Sequence, residues 1–172
     1  TYLCRGKVFA NAQTGNIVLL SQHLFTGDFL KALHYLIPLV AFASGILAAE
    51  LFREHFQSLK ALHWRQMIVL AEILLLFSVG FFPQELNLLA NAVVSFSCAM
   101  QVQTFRKVNG YAYASTMCIG NMRGGMEALA VWIVKHDPKA LRKVSHYFGI
   151  IFLFGVGAGL GWVAVEHFAA RA

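Results

Sequence analysis

Long apolar runs are the feature that most constrains the fold of this chain. Four runs reach the length of about 20 residues that a helix needs to cross a bilayer. They cover residues 29–52, 62–82, 86–105 and 144–168. Because lipid offers no water to hydrogen-bond an irregular backbone, these runs predict helices. The sequence therefore predicts an all-α fold, a polytopic transmembrane helical bundle.

The composition favours the same class. Only 13% of the 172 residues are charged, against roughly 25% in soluble domains. Cys4, Cys98 and Cys118 form no CxxC pair, so neither a disulfide framework nor a metal site is expected. Disordered chains, disulfide scaffolds and nucleic-acid-binding domains are excluded as classes. The expected partner is membrane lipid, and no cofactor is expected.

The formal net charge of +6 comes from basic residues that lie mostly between the apolar runs. Cytoplasmic loops collect such residues. The clusters are Arg53, Lys60 and Arg65; Arg106 and Lys107; and Lys135, Lys139, Arg142 and Lys143. The connection at 83–85 has no basic residue and is predicted to lie outside. If residues 111–134 enter the membrane and return on the same side, the last two clusters both stay in the cytoplasm.

An internal repeat organises the chain. His, Tyr, Phe and Gly recur at one constant offset, as His34, Tyr35, Phe42 and Gly45 and again as His146, Tyr147, Phe154 and Gly157. Upstream of each copy, a Gly-Asn pair precedes an apolar stretch. We predict one membrane domain, 1–172, built from two inverted three-span repeats, about 1–82 and 86–172. Each repeat carries one short broken or re-entrant helix, and segments before Thr1 and after Ala172 are expected to be missing.

The two Gly-Asn pairs are the candidate functional elements. Glycine permits a tight turn, and a helix that starts at membrane depth presents unpaired N–H groups and a partial positive charge. Two such starts that enter from opposite faces would meet at a central polar site. The alternative is that Gly-Asn caps two ordinary helices and the polar groups bind one another. The candidate solute-binding residues are Asn11, Gln13, Thr14, Gly15, Asn16, Gln101, Thr116, Cys118, Gly120, Asn121 and Arg123.

Charged residues within apolar runs are costly and suggest function. Arg123 suits an anionic solute in a cavity, or it extends to the cytoplasmic headgroups. Glu72, in the middle of its run, is a candidate for proton coupling, or it is a protonated structural acid. Asn91, Ser95 and Cys98 follow helical spacing, which predicts a polar stripe that faces the bundle or a water-filled path.

Four alternating glycines near the end of the chain form overlapping GxxxG patterns. They are Gly155, Gly157, Gly159 and Gly161. Such a face allows another helix to approach closely. It is the predicted docking surface for a second copy of the chain or for a partner in a membrane complex.

Three blocks of sequence resemble one bacterial family. They are residues 9–20 (Phe-Ala-Asn-Ala-Gln-Thr-Gly-Asn-Ile-Val-Leu-Leu), the polar and basic stretch 94–107, and residues 116–123 (Thr-Met-Cys-Ile-Gly-Asn-Met-Arg). Together they resemble the YoaK-like family, domain of unknown function 1275, over essentially the whole chain. The resemblance implies a multi-pass protein of the bacterial inner membrane and supplies no substrate. Ile119 departs from the family, which usually has Thr there.

The leading functional hypothesis is a transporter or channel for a small solute, with its site between the two Gly-Asn elements. The alternative is a membrane scaffold or accessory subunit of a larger complex. No nucleophile-base pair, HExxH motif or catalytic carboxylate pair is present at the expected spacing, so an enzyme is not predicted.

Overall fold

The computed structural model describes residues 8–57, 63–108, 110–112 and 114–169, and Cys4 and Lys60 lie outside them. The described residues form six α-helices. They are α1 (Gln13–Phe25), α2 (Phe29–Phe56), α3 (Trp64–Val79), α4 (Asn87–Thr104), α5 (Cys118–Lys135) and α6 (Pro138–Ala169). A 3₁₀ turn, Gln84–Leu86, precedes α4, and a small antiparallel ladder pairs β1 (Lys107–Val108) with β2 (Tyr111–Ala112). The predominantly helical fold is confirmed.

Two of the described helices are long and apolar enough to cross a membrane. They are Phe29–Phe56 and the segment Pro138–His167 of α6. Helix α3, in the predicted run 62–82, has 16 described residues. They extend about 24 Å, which is less than the hydrocarbon thickness of about 30 Å. Helix α4, in the predicted run 86–105, buries Asn91, Ser95 and Ser97. The crossing of α3 and α4 stays a prediction.

An aspartate precedes each of the two long helices, α2 and α6, and binds a backbone N–H of its first turn. Asp28 precedes α2 and accepts a hydrogen bond from the backbone N–H of Lys31 at 3.2 Å, and the Lys31 ammonium lies 2.7 Å from its carboxylate. Asp137 precedes α6 and accepts from the backbone N–H of Lys139 at 2.9 Å. These bonds satisfy N–H groups that have no partner inside the first turn. His136, with φ of 50°, ends α5 in a left-handed conformation.

The first compact unit is Thr1–Thr104. Its closest helix contact is between α2 and α4, at Gly45. A Cβ atom placed there would meet the carbonyl oxygen of Phe96 and would lie 2.9 Å from the Cβ of Ala99. Nearby, Ala49, Ile68 and Met100 join α2, α3 and α4 in one apolar cluster.

The second compact unit is Phe105–Ala172. Here α5 packs on α6 through a glycine pair: a Cβ on Gly124 would lie 2.8 Å from the ring of Tyr147, and one on Gly125 would lie 2.9 Å from Phe148. After Tyr147, no described residue of α6 is buried.

The boundary between the two compact units follows α4, whereas the predicted repeat boundary precedes it, near residues 83–85. The difference arises because α4 packs mainly on α2 and α3. The repeat is a pattern of sequence and stays a prediction. The two compact units are therefore divided where contacts between helices are few, and not at the predicted repeat boundary.

Candidate functional site

Asn16 holds an irregular segment against the start of α1. It is the fourth residue of the helix and is fully buried. Its amide nitrogen donates to the carbonyl oxygen of Phe9 at 2.6 Å and to Oε1 of Gln13 at 2.8 Å. Its Oδ1 accepts from the backbone N–H of Phe9 at 3.2 Å. One side chain therefore satisfies both backbone groups of a residue outside the helix.

Asn121 makes the same arrangement at the start of α5. It is also the fourth residue of its helix and is 1% exposed. Its amide nitrogen donates to the carbonyl oxygens of Ala114 at 2.7 Å and Met117 at 3.1 Å. Its Oδ1 accepts from the backbone N–H of Ala114 at 3.2 Å. We call the two arrangements, Asn16 on Phe9 and Asn121 on Ala114, the asparagine clamps.

The clamps differ in one partner. In the first clamp, Gln13 accepts from Asn16, and its own amide donates to the carbonyl oxygen of Ala10 at 2.8 Å. Cys118 occupies the corresponding position of the second clamp, where the backbone carbonyl of Met117 accepts instead. The first clamp thus depends on two side chains and the second on one.

The clamps change what the asparagines can do. An asparagine amide has two N–H donors, and both donors of Asn16 and of Asn121 bind within their own segment. Ala12 and Met117, which precede the two helices, make no side-chain capping bond. The two asparagines therefore bind the backbone that precedes each helix.

The other candidate residues fall into three places. Asn11, Gln13, Thr14 and Gly15 surround the first clamp, where Thr14 is exposed and Gly15 lies against the ring of Phe9. Thr116, Cys118 and Gly120 surround the second clamp, beside the highly exposed Ile119. Gln101 is half-buried on α4 and belongs to neither of the two clamp segments. The structure therefore groups the residues by segment.

Arg123 lies on the exposed face of α5, two residues after Asn121. Its Nε is 3.2 Å from Oε1 of Glu127, one helical turn further on. The Arg123 side chain is 82% exposed. The sequence suggested a solute cavity or the lipid headgroups for Arg123, and the partner observed is an acid of the same helix.

Glu72 of α3 and the polar residues Asn91 and Ser95 of α4 are all buried in the first unit. Glu72 is 8% exposed, while Asn91 and Ser95 are fully buried. Within the described chain, Glu72 Oε1 and Ser95 Oγ are buried atoms without a hydrogen-bond partner. The helical spacing of Asn91 and Ser95 correctly indicated a stripe directed into the protein. A buried acid among neutral groups can store a proton.

A hydrogen bond between α4 and α2 was not predicted from the sequence. Gln103, near the end of α4, donates to Oε2 of Glu50 on α2 at 2.7 Å, and Glu50 also binds Arg53. The Glu50–Arg53 pair has helical spacing and could have been found from the sequence. Its bond to Gln103 could not, because it depends on which helices are neighbours.

The comparisons with known proteins add a family and no activity. No curated protein and no solved structure matches the chain significantly. A family model described as "Protein of unknown function (DUF1275)" matches residues 1–172, the whole chain. The resemblance noted in the sequence is thereby confirmed, and the chain belongs to the DUF1275 family.

Proposed function

We propose that this chain belongs to a multi-pass protein of the bacterial inner membrane that moves a small polar solute, as a transporter or a channel. The observation that carries the proposal is the asparagine clamp, which is built twice with the same two backbone bonds. Irregular backbone in a membrane is tolerated where protein buries it or where it lines a polar cavity. Transporters use such interrupted segments to bind solutes.

In this proposal the clamps shape the solute path and their neighbours contact the solute. The amide donors of Asn16 and Asn121 are already used. The contacts are therefore assigned to Thr14, whose side chain is exposed, and to N–H groups of the first helical turns. Arg123 supplies a positive charge beside the second clamp, which favours an anionic solute. The central site predicted from the sequence belongs to this proposal.

Glu72 is the proposed site of proton coupling. A charged carboxylate inside lipid is costly, and the described residues give Glu72 no ion pair. A neutral, protonated Glu72 beside the polar residues of α4 avoids that cost. Release of the proton during transport would then couple solute movement to a proton gradient. If Glu72 is only structural, Glu72→Gln keeps the same flux and the same response to a pH gradient.

The test is flux into liposomes that contain the purified protein. Swelling is followed by light scattering after mixing with glycerol, urea, sodium formate or sodium acetate. We expect at least one solute to enter faster than into empty liposomes, and we expect Thr14→Val and Arg123→Gln to slow it. Ser44→Ala is the control, since this exposed residue of α2 bonds only to its own helix, at Ala41. Rates equal to those of empty liposomes for all four solutes would contradict the proposal.

The uncovered face of α6 favours a second candidate, a scaffold or accessory subunit. In the described part of the chain, nothing lies within 4 Å of a Cβ placed on Gly155, Gly157, Gly159 or Gly161. As a scaffold, the protein would bind another membrane helix there and would show no flux of its own. A stable monomer that transports solute in liposomes without any partner would exclude this candidate.

A further inference from the structure

The second unit contains a cavity of about 340 Å³ at the junction of α5 and α6. Its apolar lining comes from Ala128 and Val131 of α5 and from Ala140 of α6. Its cationic lining comes from Lys139 and Lys143. The two lysines are one helical turn apart, so they lie on the same face of α6. An apolar lining with two ammonium groups suits an amphiphilic anion.

Aromatic rings hold one of the two cations in place. The ammonium of Lys143 lies 5.8 Å from the ring centre of Tyr111 and 5.9 Å from that of Tyr147. Tyr147 is itself fixed, because its hydroxyl donates to the carbonyl oxygen of Ala112 at 2.8 Å. Cation–π contacts position an ammonium group without neutralising it. Lys143 therefore keeps its positive charge for a ligand.

The two acids that line the cavity already have other partners. Asp137 accepts from the backbone N–H of Lys139 at 2.9 Å, and Glu127 pairs with Arg123 at 3.2 Å. Among the described residues, no carboxylate lies within ion-pair distance of Lys139 or Lys143. Neither ammonium group is therefore held in an ion pair within the described structure.

The surroundings indicate where a ligand would come from. Ile133 and Val134 of α5 are 57% and 76% exposed, and the long apolar part of α6 begins at Tyr147, about one turn after Lys143. Basic residues beside the end of an apolar helix lie at the level of the lipid headgroups, on the cytoplasmic side. The cavity is therefore placed where an acyl chain could follow the apolar helix surface while its headgroup enters.

We propose that this cavity binds the phosphate headgroup of an anionic membrane phospholipid. Lys139 and Lys143 contact the phosphate, and the acyl chains lie along the exposed apolar surface of α5 and α6. The binding site is independent of solute transport. It requires only that this end of the two helices lies at the membrane surface.

The test measures lipid binding to the full chain in a neutral detergent. Fluorescent phosphatidylglycerol is titrated in high salt, which screens diffuse attraction between charges. We expect saturable binding that Lys139→Gln and Lys143→Gln each weaken about fivefold, the effect of removing one cation near a lipid surface. Lys135→Gln and Arg142→Gln are the controls, since these basic residues are close in sequence but do not line the cavity.

Several results would overturn the proposal. Equal weakening by the control variants would show diffuse attraction, and equal binding of phosphatidylcholine would show that the negative charge is irrelevant. Competition by inorganic phosphate alone, at the same concentration as the lipid, would make the cavity a site for a free anion. Lys143→Arg keeps the charge and should restore binding. If Lys143→Gln lowers the melting temperature, Lys139→Gln decides, because Lys139 is exposed and its ammonium makes no ion pair in the described chain.

Discussion

The helices α2 and α6 contain the same repeated His, Tyr, Phe and Gly residues, but their glycines have different surroundings. Gly45 of α2 lies against the backbone of α4 at Phe96, whereas the corresponding Gly157 of α6 has open space around it in the described structure. Both helices are long and apolar enough to cross a membrane. A glycine at a repeated position allows another helix to approach closely. Whether a helix packs there depends on whether one faces that glycine.

The asparagine clamps show the opposite behaviour. Each joins two residues seven positions apart, so a clamp needs nothing beyond its own segment. The repeated sequence therefore produces repeated geometry. The contrast between clamps and glycines separates short-range structure, which the sequence repeat determines, from helix pairing, which it does not.

The largest expected effect is that of leucine at the two equivalent glycines. Gly45→Leu should lower the free energy of unfolding by about 3 kcal/mol, because the side chain must displace the backbone of α4. Gly157→Leu should raise it by about 0.5 kcal/mol in the isolated chain, because a Cβ there meets nothing in the described structure and leucine favours a helix more than glycine does. Thermal unfolding in detergent measures both. A large loss of stability from Gly157→Leu would mean that this face of α6 is also covered. It would contradict the difference between α2 and α6.

Removal of either clamp should have the next largest effect. Asn16→Ala and Asn121→Ala should each cost about 2 kcal/mol, because both backbone groups of Phe9 or of Ala114 lose their partners. Gln13→Ala should cost part of this amount, while Cys118→Ala should cost almost nothing, since only the first clamp uses that side chain. Chemical unfolding monitored by circular dichroism measures the four variants. Equal losses from Gln13→Ala and Cys118→Ala would contradict the assigned partners.

Within α5, two glycines offer a smaller test. Gly124→Ala should cost about 1.5 kcal/mol, because its Cβ would overlap the ring of Tyr147. Gly120→Ala meets no atom within 4 Å and should stabilise the helix by about 0.5 kcal/mol. The two melting temperatures should therefore move in opposite directions. A loss at both positions would show that the surface around Gly120 is occupied.

The repeated tyrosines should differ by a single hydrogen bond. Tyr147→Phe removes the bond to the carbonyl of Ala112 and should cost about 1 kcal/mol. Tyr35→Phe should cost little, because Tyr35 contacts His23 by stacking, with ring centres 5.6 Å apart, and phenylalanine keeps that contact. Unfolding of both variants in the same detergent provides the measurement. Equal losses would show that Tyr35 also depends on its hydroxyl.

The smallest effect is a dependence on pH at the start of α2. Hydrogen bonds from the Lys31 ammonium and backbone hold the pKa of Asp28 below its ordinary value of 3.8. The folded state therefore favours the carboxylate, and this stabilisation is complete above the unfolded pKa and lost as pH falls through the lowered one. The melting temperature of Asp28→Asn should change less over this acidic range than that of the unchanged chain. Identical pH profiles would contradict this.

The sequence predicted the predominantly helical fold and singled out the two Gly-Asn pairs, because these depend on local apolar runs and on a repeated short motif. It did not predict that the asparagines bind the backbone before each helix. It also predicted that Asn91 and Ser95 face inward, from their spacing along α4. It did not predict the bond of Gln103 to Glu50, the support of Lys143 by Tyr111 and Tyr147, or the cavity. Each of these depends on which segments lie side by side, and a single sequence contains no signal for that.

The asparagine clamps also bear on the order in which such a chain folds. A side-chain amide that binds both backbone groups of one residue imitates the neighbouring strand of a sheet, and closing so short a loop costs little entropy. Each irregular segment can therefore satisfy these backbone groups as soon as the start of its own helix has formed. Formation of the first clamp does not have to wait for the second.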